Sequence, residues 1–515
     1  MPDQVAAMRY RIKGSKVYVP AIRSEIVRSA GLNTGYDAGG YVSPRTSNWV
    51  APSSGPNSLL GAALPTLRAR SRDKIRRDGL ADNAKRTTVV NFVGTGITPQ
   101  FRTKDKDLNR ELVDLFEDWS AECDSYGRQD FYGLQATAVG SMFEGGDCFT
   151  RFRVRALDDG FVVPLQLQVV ESEFVPNEKN EWVGPNSIIR QGIEFDRLDR
   201  RVAYHMYRQH PFDFGMLGFA FSADTVRVPA SEVLQLSQVR RPGEIRGEPW
   251  LTRALMKLHD LDKYDDAQLV KQQIGALFTG FVRGGPQTGN ENEILSGQGD
   301  ANEDGVAIAS LEPGLMNLLR ADQEITFSDP PKLEDSYESF MEGQERRVAV
   351  AAGILFEQLS GNYKHVNDRT WRAAVNEFRR AVEMYQHGLV VFQWAAPVLR
   401  RWAETAWLAG KIRLRNGVTL RDVVRVKWAP QAWPYINPTQ DVAARRDEVR
   451  AGFLSRATHV SERGYAVQTV DEEIAEDNRR ADELGLVLDS DPRKVTVAGV
   501  AQQPKKDVVD DKPSD

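Results

Sequence analysis

The stretch RPGEIRGEPWLTRALMKLHDLDKYDDAQLVKQQIGALFTGFV, residues 241–282, is where the texture of the chain changes. Pro249 suits the first turn of a helix, where its missing N–H leaves nothing unpaired. Apolar residues then recur through Leu251, Ala254, Leu258 and Leu261 and onward to Leu277. The spacing predicts a continuous helix over 249–279, about 45 Å long at about 1.5 Å per residue. A segment rich in Gly, Asn and acid follows, with short strands expected at VAIASL (306–311) and EITFSD (324–329). Asp335 then starts a second helix, with Glu338 as a capping-box partner three residues on. It runs through Tyr337, Phe340, Met341, Gln344, Val348 and Ala352 to Phe356.

Two long helices around a small strand-bearing insert leave apolar stripes with few neighbours in their own chain. Identical neighbours in a closed ring would cover them. The alternative is a helical hairpin folded back onto the rest of the molecule.

Downstream, the polar loop EQLSGNYKHVND (357–368) leads into a third helix. Its apolar positions step by fours and threes: Trp371, Val375, Phe378, Val382, Tyr385, Leu389, Phe392, Ala396 and Leu399. That is the seam of a helix packed along its length. Gly388 and Pro397 should bend or interrupt it. WAPQAWPYINP (428–438) reads as extended chain, and short amphipathic helices are expected near 441–452, 459–464 and 470–484. From about Asp489 the chain is polar and charged, the composition of a disordered tail.

Upstream, residues 29–65 are rich in Gly, Ser, Ala, Pro and Asn, as in GLNTGYDAGG (31–40) and APSSGPNS (51–58), and read as a mobile arm. A helix is expected from near Thr66 to Gly79. TTVVNFVG (87–94), CFTRFRVR (148–155), LQLQVV (165–170), IRQGIEFD (189–196), RVAYHMYR (201–208) and EVLQL (232–236) read as strands, being β-branched or aromatic with partial alternation. Arg197 to Arg200 would form a hairpin turn. Leu108 to Trp119 and Tyr132 to Met142 read as helices, so this half is mixed α+β.

The 515 residues, 41% hydrophobic and 27% charged, can build two or more cores. Cys123 and Cys148 have no metal or redox spacing, which fits a reducing compartment. No apolar run reaches the roughly 18 residues of a membrane span, and Met1 to Arg11 lacks the apolar stretch of a signal peptide. The net charge of −5 hides a basic stretch at Leu67–Arg86 and acidic ones at Glu291–Asp304 and in the tail. A net negative chain is not built as a tight DNA binder, though it can let DNA slide past.

Several long stretches resemble the lambda-type phage portal family. They include LRARSRDKIRRDGLADNAKRTTVVNFVGTGITPQF (67–101), CDSYGRQDFYGLQATAVGSMFEGGDCFTRFR (123–153), PLQLQVVESEF (164–174), IRQGIEFDRLDRRVAYHMYRQHP (189–211), RVPASEVLQL (227–236) and the 241–282 block. The resemblance continues through LEPGLMNLL (311–319), ITFSDPP (325–331), EFRRAVEMYQHGLVVFQWAAPVLRRW (377–402) and SERGYAVQTVDEEIAEDNRRADELGL (461–486). It covers about 66–488. Two departures are local: LSGNYKHVNDRTWRAAVNEFRR (359–380) lacks the Ser-rich wording usual before that helix, and the turn at Asp199 lacks a glycine often found there.

The resemblance implies an α+β portal fold assembling as a dodecameric ring. Its parts would be an N-terminal arm (1–65), a wing (66–248, with 404–440 returning to it) and stem helices (249–279 and 334–356). A clip (280–333), a tunnel loop (357–368), a long helix (369–403), a crown (441–488) and a disordered tail (489–515) complete it. It implies a place at one capsid vertex of the virion, after assembly in the host bacterial cytoplasm. It further implies initiation of procapsid assembly, contact with major capsid and scaffolding proteins, and docking of terminase and head-tail completion proteins. Double-stranded DNA would pass through the channel in packaging and ejection, without sequence preference.

Duplex DNA carries about one negative charge per 1.7 Å of axis, so passage requires weak, numerous and sequence-blind contacts. The lumen candidates are Asn362, Lys364, His365, Asn367 and Arg369; the alternative is that they are simply exposed loop residues. Glu291, Glu293, Asp300, Glu303 and Asp304 would form a docking surface on the clip, or else an acidic disordered loop. No P-loop, HExxH, paired CxxC or GxSxG motif occurs. No catalytic residue, metal or cofactor is therefore expected. Asp260, Asp262, Asp265 and Asp266 spread round a helix and read as a solvated stripe. The remaining alternatives are a nuclease with dispersed acidic ligands and a DNA-associated scaffold of another assembly.

Overall fold

The computed structural model describes residues 9–11, 18–20, 53–213, 224–276, 280–283, 324–327, 334–465 and 467–486. The chain divides into two units, Met1–Gly55 and Pro56–Asp515. In the first, β1 (Arg9–Arg11) pairs antiparallel with β2 (Tyr18–Pro20).

The second unit opens with helices α1 (Pro56–Arg77) and α2 (Gly79–Phe92). Asp78 separates them, and its carboxylate accepts hydrogen bonds from the Leu80 and Ala81 amides, so one helix ends and a capped one begins. Strand β3 (Thr98–Gln100) leads to α3 (Lys106–Glu122) and α4 (Phe131–Gly145). Asp105 caps α3 through the Leu108 amide at 2.9 Å, and Leu108, Leu112, Phe116 and Trp119 line its buried face at helical spacing.

Strands β4 (Asp147–Val154) and β5 (Leu165–Glu171) form a hairpin. β6 (Glu181–Gly184), β7 (Ser187–Arg190), β8 (Ile193–Asp196), β9 (Arg201–Tyr207) and β10 (Thr225–Pro229) follow as an antiparallel meander. β11 (Val233–Ser237) returns beside β4, giving a second sheet of order β11-β4-β5. A smaller core between the sheets holds Phe149, Ile193, Phe195, Tyr204, Met206 and Val233.

Helix α5 (Leu255–Ala276) and α6 (Glu334–Ala352) bracket the ladder of β12 (Gly280–Arg283) with β13 (Glu324–Phe327). After α6 come α7 (Phe356–Ser360) and α8 (Asp368–Tyr385), a π-helical segment Gln386–Ala395, and α9 (Ala396–Leu408). The segment α10 (Leu420–Val423) precedes β14 (Lys427–Ala429), which pairs with β3. Helices α11 (Pro438–Arg450), α12 (Arg456–Glu462) and α13 (Val467–Glu483) close the described chain.

The main core packs α3, α4 and the α8–α9 helix around Phe101, Phe116, Trp119, Phe131, Trp394 and Trp402. Two of its buried indoles have paired N–H groups: Trp119 donates to Leu165 O at 2.7 Å and Trp394 to Thr150 Oγ1 at 2.9 Å. Trp250 likewise donates to Ala352 O at 2.8 Å, joining the start of the α5 segment to the end of α6.

Several expectations shift. TTVVNFVG was expected as a strand; Thr87–Phe92 instead completes α2. Ala81, Ala84, Thr88 and Phe92 are its buried residues, a helical period that packing against α4 rewards more than β-branching opposes. The first helix begins at Pro56 rather than near Thr66, and IRQGIEFD is two strands around a turn at Gln191–Gly192. The 249–279 helix starts as a 3-10 turn at Trp250–Arg253 and continues as α5. The helix expected over 334–356 ends at Ala352, where Gly353 takes φ +75°. The EITFSD strand is present as β13, and VAIASL lies outside the described residues. Asp199, at the predicted hairpin turn, adopts φ +56° without the glycine. Aspartate tolerates that region better than most residues.

Candidate functional site

The loop at 361–367 is held between α7 and α8. Gly361 ends α7 with φ +70°, which a glycine adopts freely. Asn83 on α2 fixes the far side of α7, its side-chain amide donating to Gln358 O at 2.8 Å and Leu359 O at 2.7 Å. At the other end the Asn367 carboxamide caps α8, accepting from the Thr370 amide at 2.9 Å. Tyr363 packs edge-on against Trp371 at 5.6 Å.

Each lumen candidate has a distinct place in this frame. Asn362 is half-buried; its amide group donates to Glu342 on α6 at 3.0 Å and its carbonyl accepts from the Lys364 N–H at 3.0 Å. The exposed Lys364 ammonium donates to the Glu338 carboxylate, also on α6. That bond holds the Glu338 carboxyl below its usual range and the Lys364 ammonium above its own. His365 and Arg369 are exposed and form no hydrogen bond or ion pair among the described residues. Asn362 and Asn367 thus brace the loop, Lys364 is neutralised by a neighbour, and His365 and Arg369 remain open to solvent.

Sequence reading missed Glu338 and Glu342 as partners of the loop, having taken Glu338 as a capping residue. A carboxylate stripe at Glu338, Glu342 and Glu345, spaced by four and three, was the available signal. Burial, with Glu342 close by, raises the pKa of Glu345. The clip candidates Glu291, Glu293, Asp300, Glu303 and Asp304 all lie outside the described residues.

The aspartates of α5 do not converge. Asp262 receives the Lys74 ammonium and Asp265 accepts from the Tyr337 hydroxyl. Among the described residues, Glu171, Glu173 and His210 bring their ligand atoms within 4.8 Å of one another. The Arg72 guanidinium pairs with both Glu171 and Glu173, so a fixed cation already sits where a metal would compete.

A family model described as "Phage portal protein, lambda family" matches residues 42–386. The chain is 26% identical over 440 residues to a probable portal protein of Halomonas phage phiHAP-1, covering 82% of this chain and 81% of that protein. It is 22% identical over 438 residues to the portal protein of Escherichia phage N15, covering 78% and 80% respectively. Among solved structures, a chain from the neck of an empty gene transfer agent particle aligns at a TM-score of 0.42 and 14% identity, covering 82% of this chain and 98% of that one. With the lambda-family model spanning more than half of its length, the chain belongs to the lambda family of phage portal proteins.

Proposed function

We propose that the protein works as a ring of identical copies, twelve by resemblance to the family, at one vertex of a phage capsid. Its channel carries double-stranded DNA inward during packaging and outward during ejection. In this reading the protein is structural and non-catalytic, and it also nucleates the procapsid. It docks terminase, capsid and scaffolding proteins during assembly and head-tail completion proteins afterwards. Residues 66–248 with 404–440 are the wing, 249–279 and 334–356 the stem, 280–333 the clip and 441–488 the crown.

The observation that carries the reading, beside family membership, is the exposure of α5. From Asp262 to Gln273 no side chain is buried, although Leu269 and Val270 are more than half exposed. A helix end left so exposed is marginal in water and calls for neighbours that the described residues of its own chain do not supply.

Within that channel we assign the DNA-facing role to the loop bearing Asn362, Lys364, His365, Asn367 and Arg369. The Lys364–Glu338 contact with α6 is exposed and polar, and salt screens such a pair. The loop can therefore exchange the Glu338 contact for a passing phosphate without unfolding either core. Electron-microscope class averages of the purified chain test the ring. A compact monomer at every salt and protein concentration would overturn it, and a closed ring with a central channel is expected.

A further inference from the structure

Strand β4 carries Arg151, Arg153 and, just past its end, Arg155 at every second position. Successive side chains of a strand point to opposite sides, so these three share the face on which Phe149 enters the smaller core. The pairing of the hairpin continues through Arg155, whose N–H donates to Pro164 O at 2.9 Å, so the row stays in register. Two strand residues advance about 6.6 Å, which spreads three cations over about 13 Å. All three are partly exposed.

Each side chain leans back by one pair of the hairpin. Gln166 lies opposite Arg153 and Gln168 opposite Arg151. Yet Arg155 Nε donates to Gln166 Oε1 at 2.9 Å, and Arg153 donates to Gln168 Oε1 through Nε at 2.9 Å and Nη2 at 2.6 Å. The same lean directs Arg151 toward Val170, whose side chain accepts nothing, and Arg151 Nε is buried without a hydrogen bond. The glutamines are fixed in turn: Gln168 Nε2 donates to the Tyr126 hydroxyl at 2.9 Å and Gln166 Nε2 to Glu122 O at 2.9 Å.

Neutral amides thus position these guanidiniums without cancelling their charge. None of the three arginines forms an ion pair among the described residues. Nearby acids serve elsewhere: Glu122 Oε1 accepts from the Val162 amide at 2.6 Å, Asp159 from the Ala156 amide at 2.9 Å, and Glu232 pairs with Arg401 at 3.8 Å. Burial foremost, with the Arg153 charge beside it, holds the Arg151 guanidinium below its usual range. Like charges so close repel, and an anion with a repeated charge relieves that repulsion.

We infer that Arg151, Arg153 and Arg155 form a nucleic-acid contact, separate from the 361–367 loop, that takes phosphodiester backbone without sequence preference. Forked guanidinium donors match phosphate oxygens, and a nucleic-acid strand offers one such anion at every nucleotide. Contacts of this kind position a backbone and read no base. A protein partner would be anchored by an apolar or aromatic group in a pocket, and a row of arginines and glutamines forms none. The site belongs to one hairpin of one copy, so it stands whether or not the chain closes into a ring.

The test uses the full chain and the fluorescence anisotropy of a labelled oligothymidylate across a salt series. Arg153→Gln with Arg155→Gln is compared with Arg76→Gln with Arg77→Gln, which removes equal charge from exposed positions already paired with Asp73 at 2.7 and 3.0 Å. The first double should weaken binding by about tenfold and flatten the slope of log affinity against log salt by about one to two, while the second stays within about threefold. Gln168→Glu leaves Arg153 in place and neutralises it, and should weaken binding by about threefold or more. Circular dichroism checks that each variant is folded. Doubles of equal effect, a Gln168→Glu chain that binds normally, or an unaltered chain with no affinity at low salt would overturn the site. A polyglutamate peptide that binds as tightly as the oligonucleotide, and is lost with the same arginines, would overturn nucleic acid in favour of an acidic protein segment. None of these results bears on the ring, which the class averages test separately.

Discussion

Asp147 is the residue on which the two sheets of the mixed α+β region turn. It is fully buried and receives two arginines: Arg246 through Nε at 2.6 Å and Nη2 at 3.2 Å, and Arg68 through Nη2 at 3.0 Å. Arg246 spends its other donors on the carbonyls of Ser172, Val175 and Gln191, tying both sheets to one guanidinium. Burial alone would raise the Asp147 pKa, but Arg246 and Arg68 outweigh it and hold the carboxyl below its usual range. Burial likewise lowers Arg68 to about 10. Removing the carboxylate strands two buried cations, so Asp147→Asn should destabilise the protein by about 3–5 kcal/mol in chemical denaturation. Beside it, Gly146 and Gly247 cross so closely that a Cβ on Gly247 would lie 1.8 Å from Gly146 O. Gly247→Ala should therefore cost about 1–3 kcal/mol or more, read the same way.

Glu194 gives this scale its pH dependence. Its side chain bonds Arg227 at 2.7 Å and also contacts Ser187 and His205. Arg227 foremost lowers its pKa to about 2. A depressed acid contributes stability above its unfolded pKa, and that contribution is lost as pH falls through the folded one. Stability should thus decline between about pH 4.5 and pH 2. Glu194→Gln should flatten that part of a denaturation-versus-pH curve, and an unchanged curve would remove Glu194 from the account.

Elements were legible where their own periodicity matched their burial. The stripe of α8 predicted its core at Val375, Phe378 and Val382, and Pro397 and Gly388 marked where the long helix departs from α geometry. The departure is a π segment, Gln386–Ala395, ending where Pro397 has no N–H to give Gln393 O in an α ladder. Gly388 within it is exposed, with open space round its Cα. Gly388→Ala should be accepted and raise stability by about 0.5–1 kcal/mol. Thr87–Phe92 misled because a β-branched run states a local preference only. At the loop, Lys364→Glu sets a second carboxylate against Glu338, while Lys364→Met removes the cation alone. Both should leave ring assembly unchanged and reduce packaged DNA, with the glutamate variant the more severe. Fully packaged, infectious particles from both would return these residues to the plain surface.

At the scale of the whole molecule, α5 keeps apolar side chains uncovered among the described residues, Leu269 at 58% and Val270 at 51% exposure. Val270 belongs to neither buried core. Val270→Glu should leave the folded monomer's melting temperature within about 1 °C and lower ring yield in sedimentation. A matched loss of both would place Val270 in the chain's own core.

The sequence by itself determined what is local. Amphipathic stripes, caps at Asp78, Asp105 and Asn367, and turn residues each act within a few positions, and the long lambda-portal stretches identified the family. Only the tertiary structure decided what meets across distance. β3 pairs with β14, whose hydrogen-bonded residues Thr98 and Ala429 are 331 positions apart. Asp147 finds Arg246, 99 positions on, and Lys364 finds Glu338 rather than open solvent. The physical reason is that a charge or an edge strand records what it needs but not where its partner lies. That depends on how every helix and sheet between them packs.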